Sequence, residues 1–367
     1  MGKINSSSKN AENEKQKEKG KEEEKENEIN DESLIDLVTD SYCYGVDYSF
    51  IVVNSLDNNL YLIYCTSNKT IISYNLIEFK KIIEIRNSHE NDITNFRYFS
   101  DKNKKIELLM SASIDNNVKI WKFNNWECIL DIKNINTQGN LYSACFLSFN
   151  EELFILTSNI FGNEPLKVFD FNGNQIKEIS ESIEGTFLLD IYYDKKLSKN
   201  YIITGNTNFV KSYDYNDNKL YHKYDDNVNE NNNDNNENDI DNDNDFNSRN
   251  HYSVKIKDEG ETIKLIESSE DGNVRIWNFH TGELINKFIV SLDHLFTICL
   301  WKDEYLFVAC GEYAIKLLNL ENGDIIEDFY SENIPLILRI IEIPKYGECL
   351  LFQDYKGIKL RKLKIYK

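Results

Sequence analysis

Two short stretches contain the residue types of a hydrolytic site. His89, Ser113 (or Ser111) and Asp115 lead to Trp121, and His251, Ser269 and Asp271 lead to Trp277. A histidine that takes a proton from a serine hydroxyl, while a carboxylate orients it, is the arrangement that attacks acyl carbonyls. The surrounding residues weigh against that chemistry. Met110-Ser-Ala-Ser-Ile-Asp-Asn-Asn-Val-Lys-Ile-Trp-Lys-Phe123 returns as Glu267-Ser-Ser-Glu-Asp-Gly-Asn-Val-Arg-Ile-Trp-Asn-Phe279. A set that recurs with its flanking sequence belongs to a repeated unit, and a catalytic role has to be argued from geometry rather than from residue types. The expectation is that the protein is not an enzyme.

The other chemistry-bearing residues point the same way. The 5 histidines do not cluster, so neither a metal nor a cofactor is expected. His222 and His280 read as isolated boundary residues. No phosphate-binding glycine loop, nucleophile elbow or zinc-protease pair is present. The formal charge of −20 excludes a general nucleic-acid binder, which needs clustered Lys and Arg. Nine acids against one Arg between residues 225 and 250 supply about −8 of that charge. The 7 cysteines are scattered, without a CxxC pair, and read as reduced thiols packed as small hydrophobes. A cytoplasmic or nuclear setting follows. No apolar run reaches the length of a membrane span, and the polar start does not read as a secretory signal.

What positions these residues is a period. Aligned on Trp121, the series Tyr74, Trp121, Phe169, Tyr213, Trp277, Leu318, Arg361 has intervals of 47, 48, 44, 64, 41 and 43 residues. Six members follow a Lys or Arg by two residues: Lys119, Lys167, Lys211, Arg275, Lys316 and Lys359. Each unit divides into four short β-type runs. In the second unit these are residues 93–99, 106–111, 118–123 and 128–132; in the fifth they are 252–256, 263–266, 274–279 and 284–290. A period of about 40–45 residues with four strands is the pattern of propeller blades. The long interval contains the Asn/Asp-rich residues 225–250, which cannot pack and are read as a disordered insert. Residues 1–32 are low in apolar content and are read as a disordered tail. The last unit lacks one strand, and Leu34–Val38 stands alone. The economical arrangement is a seven-bladed, all-β propeller over residues 33–367, closed by that N-terminal strand.

From Ser33 onward the chain resembles the WD40 repeat family, although no unit contains a literal Trp-Asp pair. The resemblance implies a structural hydrogen-bond tetrad. Asp115 would accept from the His89 imidazole, which would meet the hydroxyl of Ser113 (or Ser111), and that hydroxyl would receive the Trp121 indole N–H. His251, Ser269, Asp271 and Trp277 would repeat it in the fifth blade, whereas the sixth lacks it. The resemblance also places the connections between blades on the narrower, partner-facing side, and puts candidate contacts at Ile114 and Glu270, just before each turn Asp. The phosphoinositide-binding and ubiquitin-ligase-receptor boxes of related propellers are absent. The implied function is a scaffold for protein or peptide partners within a complex. The alternative is a membrane-associated adaptor: Met1-Gly-Lys-Ile-Asn-Ser6 fits the N-myristoylation pattern at Gly2. Gly2-dependent incorporation of an alkyne-tagged myristate tests it.

Overall fold

Runs that alternate apolar and polar residues make strands with one face to bury, and continuous apolar runs make strands buried on both. Both kinds occur in every unit. In the second, the first strand (Ile93–Asp101) opens with five buried residues, whereas the fourth (Cys128–Ile132) is mostly exposed. The computed structural model describes residues 34–42, 48–136, 139–160, 164–179, 185–226 and 249–363. Their strands form seven four-stranded antiparallel sheets, six of them from consecutive strands. The seventh takes its outer strand, Leu34–Val38, from the other end of the chain.

The inner strands of blades 1 to 7 are Phe50–Asn54, Ile93–Asp101, Leu141–Phe149, Thr186–Asp194, His251–Asp258, Leu295–Trp301 and Ile337–Ile343. Each packs beside the next, and the last beside the first, so the ring closes. The core is divided among the blade interfaces. Ile51, Val53 and Ile63 of blade 1 bury Phe96, Leu109 and Trp121 of blade 2, and equivalent clusters fill the other junctions. The seventh junction depends on the N-terminal strand. Leu34 pairs with Arg361 and Val38 with Ile358. Gly357 (φ +152) permits this approach, because a Cβ there would stand 2.0 Å from the Val38 carbonyl oxygen.

The aligned series also marks an irregularity. At Tyr74, Trp121, Phe169, Tyr213, Trp277 and Leu318 the pairing of third and outer strands slips by one residue. The extra outer-strand residues are Ile82, Ile129, Ile176, Tyr221, Ile285 and Ile326. In blade 7 the slip moves along the strand to Leu37. A bulge twists an outer edge away from regular pairing, which protects a ring whose rim is otherwise all edges.

Candidate functional site

In blade 2, antiparallel pairing brings the second strand (Ile106–Ser113) beside the third (Val118–Lys122), so Ser111 lies near Trp121. The indole Nε1–H of Trp121 donates to Ser111 Oγ at 3.0 Å. That oxygen lies 2.8 Å from His89 Nε2, and His89 Nδ1 lies 3.0 Å from Asp115 Oδ2. A neutral imidazole protonated on Nδ1 satisfies every member, with Ser111 donating to Nε2. Of the two serines left open by the sequence, the structure uses Ser111. Ser113, two residues on, donates instead to the Asn91 carbonyl and accepts from the Asp115 N–H. Ser111 is fully buried, and the His89 side chain has no exposed surface, so no substrate reaches this hydroxyl. Burial works to raise the Asp115 pKa, but bonds from His89 and the Glu90 and Asn117 N–H groups outweigh it and hold the carboxyl below its ordinary value.

Blade 5 departs from this arrangement. Glu267 occupies the position of Ser111, since each pairs with its blade's basic third-strand residue, Arg275 or Lys119. His251 is not the counterpart of His89. It pairs with Ser269 as Ile93 pairs with Ser113, so it opens the inner strand. The residue in register with His89 would be Asn247, outside the described residues. His251 Nδ1 meets Glu267 Oε2 at 2.8 Å, and neither His251 Nε2 nor the buried Trp277 Nε1 has a hydrogen-bond partner. Ser269 donates to Asp271 at 2.6 Å, and both bond Arg275, whose side chain is 1% exposed. The expected second tetrad is thus replaced by an arginine-centred network.

That network accounts for the recurrent basic residue. Lys119, Lys167 and Lys316 reach the carbonyls of Ser88, Ile135 and Val290, each in the connection that delivers the same blade's inner strand. Arg275 does the same with a side chain as acceptor: its Nε donates to Asp226 Oδ2 at 2.8 Å. Asp226 also takes Arg249 Nη1 and Lys287 Nζ, each at 2.7 Å. Asp225, Asp226, Arg249 and Asn250, read from sequence as part of the disordered insert, therefore belong to the packed blades. The Asp226–Arg249 pair joins the two ends of the connection, and residues 227–248 lie outside the described residues. Burial opposes ionisation of Asp226 and Asp271, but Lys287, Arg249 and Arg275 on the first, and Arg275 and Ser269 on the second, hold both carboxyls well below their ordinary range.

The face carrying these connections also carries an arc of rings. The second residue of four consecutive inner strands is aromatic: Tyr142, Phe187, Tyr252 and Phe296. Successive centroids are 6.2, 5.4 and 6.2 Å apart. Phe187, Tyr252 and Phe296 are half-buried, leaving part of each ring open. Glu270 belongs to this arc: it accepts from the Tyr252 hydroxyl and, at 3.1 Å, from the Asn250 N–H. Ile114 is also half-buried, with its N–H on the Asp92 carbonyl, but the second residue of blade 2's inner strand is Thr94, so the arc has no ring in that blade. Gly2 lies outside the described residues.

Sequence reading missed two further groupings. His222 and His280 are not isolated: His222 Nε2 lies 2.6 Å from the His280 carbonyl, and His280 bridges the Tyr221 hydroxyl at 3.0 Å and Asp194 at 3.1 Å. A recess of about 1120 Å³ between blades 2 and 3 opens on the opposite face. Its lining mixes Lys104, Lys105 and Lys122 with Glu151, Glu152 and Asp170, so it offers charge of both signs rather than a convergent site. Among the described residues no group of three or more His, Cys, Asp or Glu could hold a metal ion, and no helix is long and apolar enough to cross a membrane. Cys65, Cys145, Cys310 and Cys349 are buried. The chain matches no model of a known protein family and no curated protein.

Proposed function

We propose that this propeller is a non-catalytic scaffold of the WD40 type, and that it takes a protein or peptide partner on the arc formed by Tyr142, Phe187, Tyr252 and Phe296. The arc itself carries this reading. Aromatic rings fixed on strands bury large contact area with little loss of side-chain entropy, and such anchors dominate interface energies. Four of them side by side, three of them partly open, on the connection face of a stiff ring suit an apolar or aromatic side chain from a partner. The tetrad residues of blade 2, sealed from solvent, hold the blade rather than react.

Affinity purification from native cells tests the reading. Phe187→Ala with Tyr252→Ala should remove partners that the unaltered chain retains. Tyr193→Ala, at an exposed position on the opposite face, should not. An identical partner set from the arc variant and the unaltered chain, with both folded, would overturn the assignment.

A further inference from the structure

Blades 5 and 6 differ from the others at two register positions on the connection face. The first ends the outer strand. In blade 2, Val118 pairs with Ile132, and Lys133 follows. Among the described residues the same place holds Arg86 in blade 1, Asp225 in blade 4 and Thr39 in blade 7. Blades 5 and 6 have Ile289 and Tyr330 instead, 76% and 74% exposed. The second position is a left-handed residue in the turn between second and third strands. It is Lys69, Asn116, Asn208 and Gly272 in blades 1, 2, 4 and 5, with φ from +58 to +76. In blade 6 it is Tyr313, at φ +63 and half exposed. Glycine and asparagine suit that conformation and an aromatic residue does not, so its presence points to a use.

Backbone contacts join these residues into one sector. Leu292, in the connection between blades 5 and 6, is fully exposed. On one side of it the Ser291 N–H donates to the Gly272 carbonyl at 3.2 Å. On the other the Asp293 carboxylate packs on Gly311, where a Cβ would stand 2.9 Å from it. The Ser331 N–H donates to the Tyr313 carbonyl at 2.7 Å, which sets Tyr330 beside Tyr313. Asn333 and Glu332 then reach Asp354 and Lys356, at 3.3 and 2.9 Å, on either side of the exposed Tyr355 of blade 7. Among the described residues, seven large apolar or tyrosine side chains are half exposed or more. Five are Ile289, Leu292, Tyr313, Tyr330 and Tyr355, all on this sector; Tyr193 and Leu197 lie on the opposite face. Single exposed apolar residues are ordinary, whereas a contiguous set on one face marks a contact site.

The charge around this sector selects its occupant. Each lysine that borders it already has a carboxylate: Lys287 has Asp226, Lys316 has Glu312 and Lys356 has Glu332. Carboxylates are left over. Asp293 is exposed and accepts from the His294 N–H at 2.7 Å, but forms no ion pair with a lysine or arginine among the described residues. Asp328 is exposed as well, and Lys316, which pairs with it across the strands, is held by Glu312 and the Val290 carbonyl. An anionic membrane surface, or a second copy of a chain of net charge −20, would be repelled here.

We propose that this sector docks a segment of a partner protein that carries apolar or aromatic residues together with Lys or Arg. Ile289, Leu292, Tyr313 and Tyr330 would cover its apolar residues, and Asp293 and Asp328 would take its cations. An apolar centre with a polar rim is the ordinary anatomy of an interface, and its aromatic anchors carry most of the energy. The carboxylates add speed of association and choice of partner. The inference rests on the scaffold reading and names the chemistry of a partner, but it uses none of the four rings of the arc.

Panning a phage-displayed library of random linear peptides on the immobilised full chain tests it. Enriched peptides should combine net positive charge with aliphatic or aromatic residues. Synthetic copies, followed by fluorescence anisotropy, should bind more weakly as salt rises. Leu292→Ser with Tyr330→Ser should lower the affinity at least tenfold, and Asp293→Asn with Asp328→Asn at least threefold. Tyr193→Ala, on the opposite face, should leave it unchanged. If the Leu292 and Tyr330 pair does not fold, Leu292→Ser, at a fully exposed position, carries the test alone with at least a threefold loss. Failure to enrich any peptide overturns the proposal. So does enrichment of acidic peptides, or binding that survives loss of Leu292 and Tyr330. Binding that falls with Phe187→Ala and Tyr252→Ala but not with the Leu292 and Tyr330 pair also overturns it, and leaves the arc as the docking site. Leu292-dependent flotation with phosphatidylcholine–phosphatidylserine vesicles would reassign the sector to a membrane, and Leu292-dependent dimerisation in sedimentation to a second copy of the chain.

Discussion

Blades 2 and 5 contain the two most similar stretches of the chain, yet they secure themselves differently. Blade 2 uses the Trp121 indole, the Ser111 hydroxyl and the His89 imidazole, with one carboxylate at the end. Blade 5 places Glu267 where Ser111 would stand and gathers Asp226, Asp271 and Glu267 around Arg275. One substitution in the aligned stretch removes the acceptor that Trp277 would need, and the blade's order then rests on charge. The difference follows the connection each blade must hold. Lys119 caps a short connection through a carbonyl. Arg275 and Arg249 hold the two ends of a connection lengthened by the insert, and a fork with five N–H donors can do this while a lysine cannot.

The comparison is broken most severely at Arg275. Arg275→Leu removes the buried cation shared by Asp226, Asp271 and Glu267 and should destabilise the protein by about 3–5 kcal/mol. Lys119→Leu loses a bond to one carbonyl, worth about 1 kcal/mol. Midpoints of urea unfolding measure both, and equal shifts would mean that the two blades are held alike. Acid should single out the same network. Asp226 and Asp271 have folded-state pKa values below those of the unfolded chain, which lie near the ordinary value of about 3.9. Their contribution is therefore complete above about pH 4 and is lost as pH falls through the depressed values. Thermal melting should drop steeply below about pH 4, and Asp226→Asn should flatten that drop; an unchanged slope would remove Asp226 from the account.

Smaller effects separate the tetrad from its neighbours. Ser111→Ala strands both the Trp121 indole and the His89 imidazole and should cost about 1–3 kcal/mol. Ser113→Ala, which loses a turn hydrogen bond, should cost about 1 kcal/mol or less. Reversal of that order would return the role to Ser113. Trp121→Phe removes a satisfied donor, whereas Trp277→Phe removes a buried donor without a partner. The first should be about 1 kcal/mol more costly than the second by the same measurement.

Much of the fold was legible because the signal is local and repeated. The Trp121 series predicts the third strand of every blade, and six of its seven positions mark the outer-strand bulge as well. Leu34–Val38 was identifiable as the closing strand because it is a strand without a hairpin and the last unit lacks one. The site was less legible. Ser111 and Ser113 lie two residues apart and so face the same side of the strand, which pattern alone cannot separate. His251 stood close enough to the repeat to be aligned with His89, but strand pairing places it four residues later in the unit. The insert obscured that offset.

The sequence by itself determined the unit: its four strands, its turn, its basic residue and its count. Each of these depends on residues within one blade, where periodicity and turn chemistry act over a few positions. Only the tertiary structure decided what the units make together. Tyr142, Phe187, Tyr252 and Phe296 are ordinary strand residues in their own blades. They meet because closing the ring brings one register level of every inner strand to a common axis. Convergence of that kind is set by the angle between sheets, which no single unit encodes.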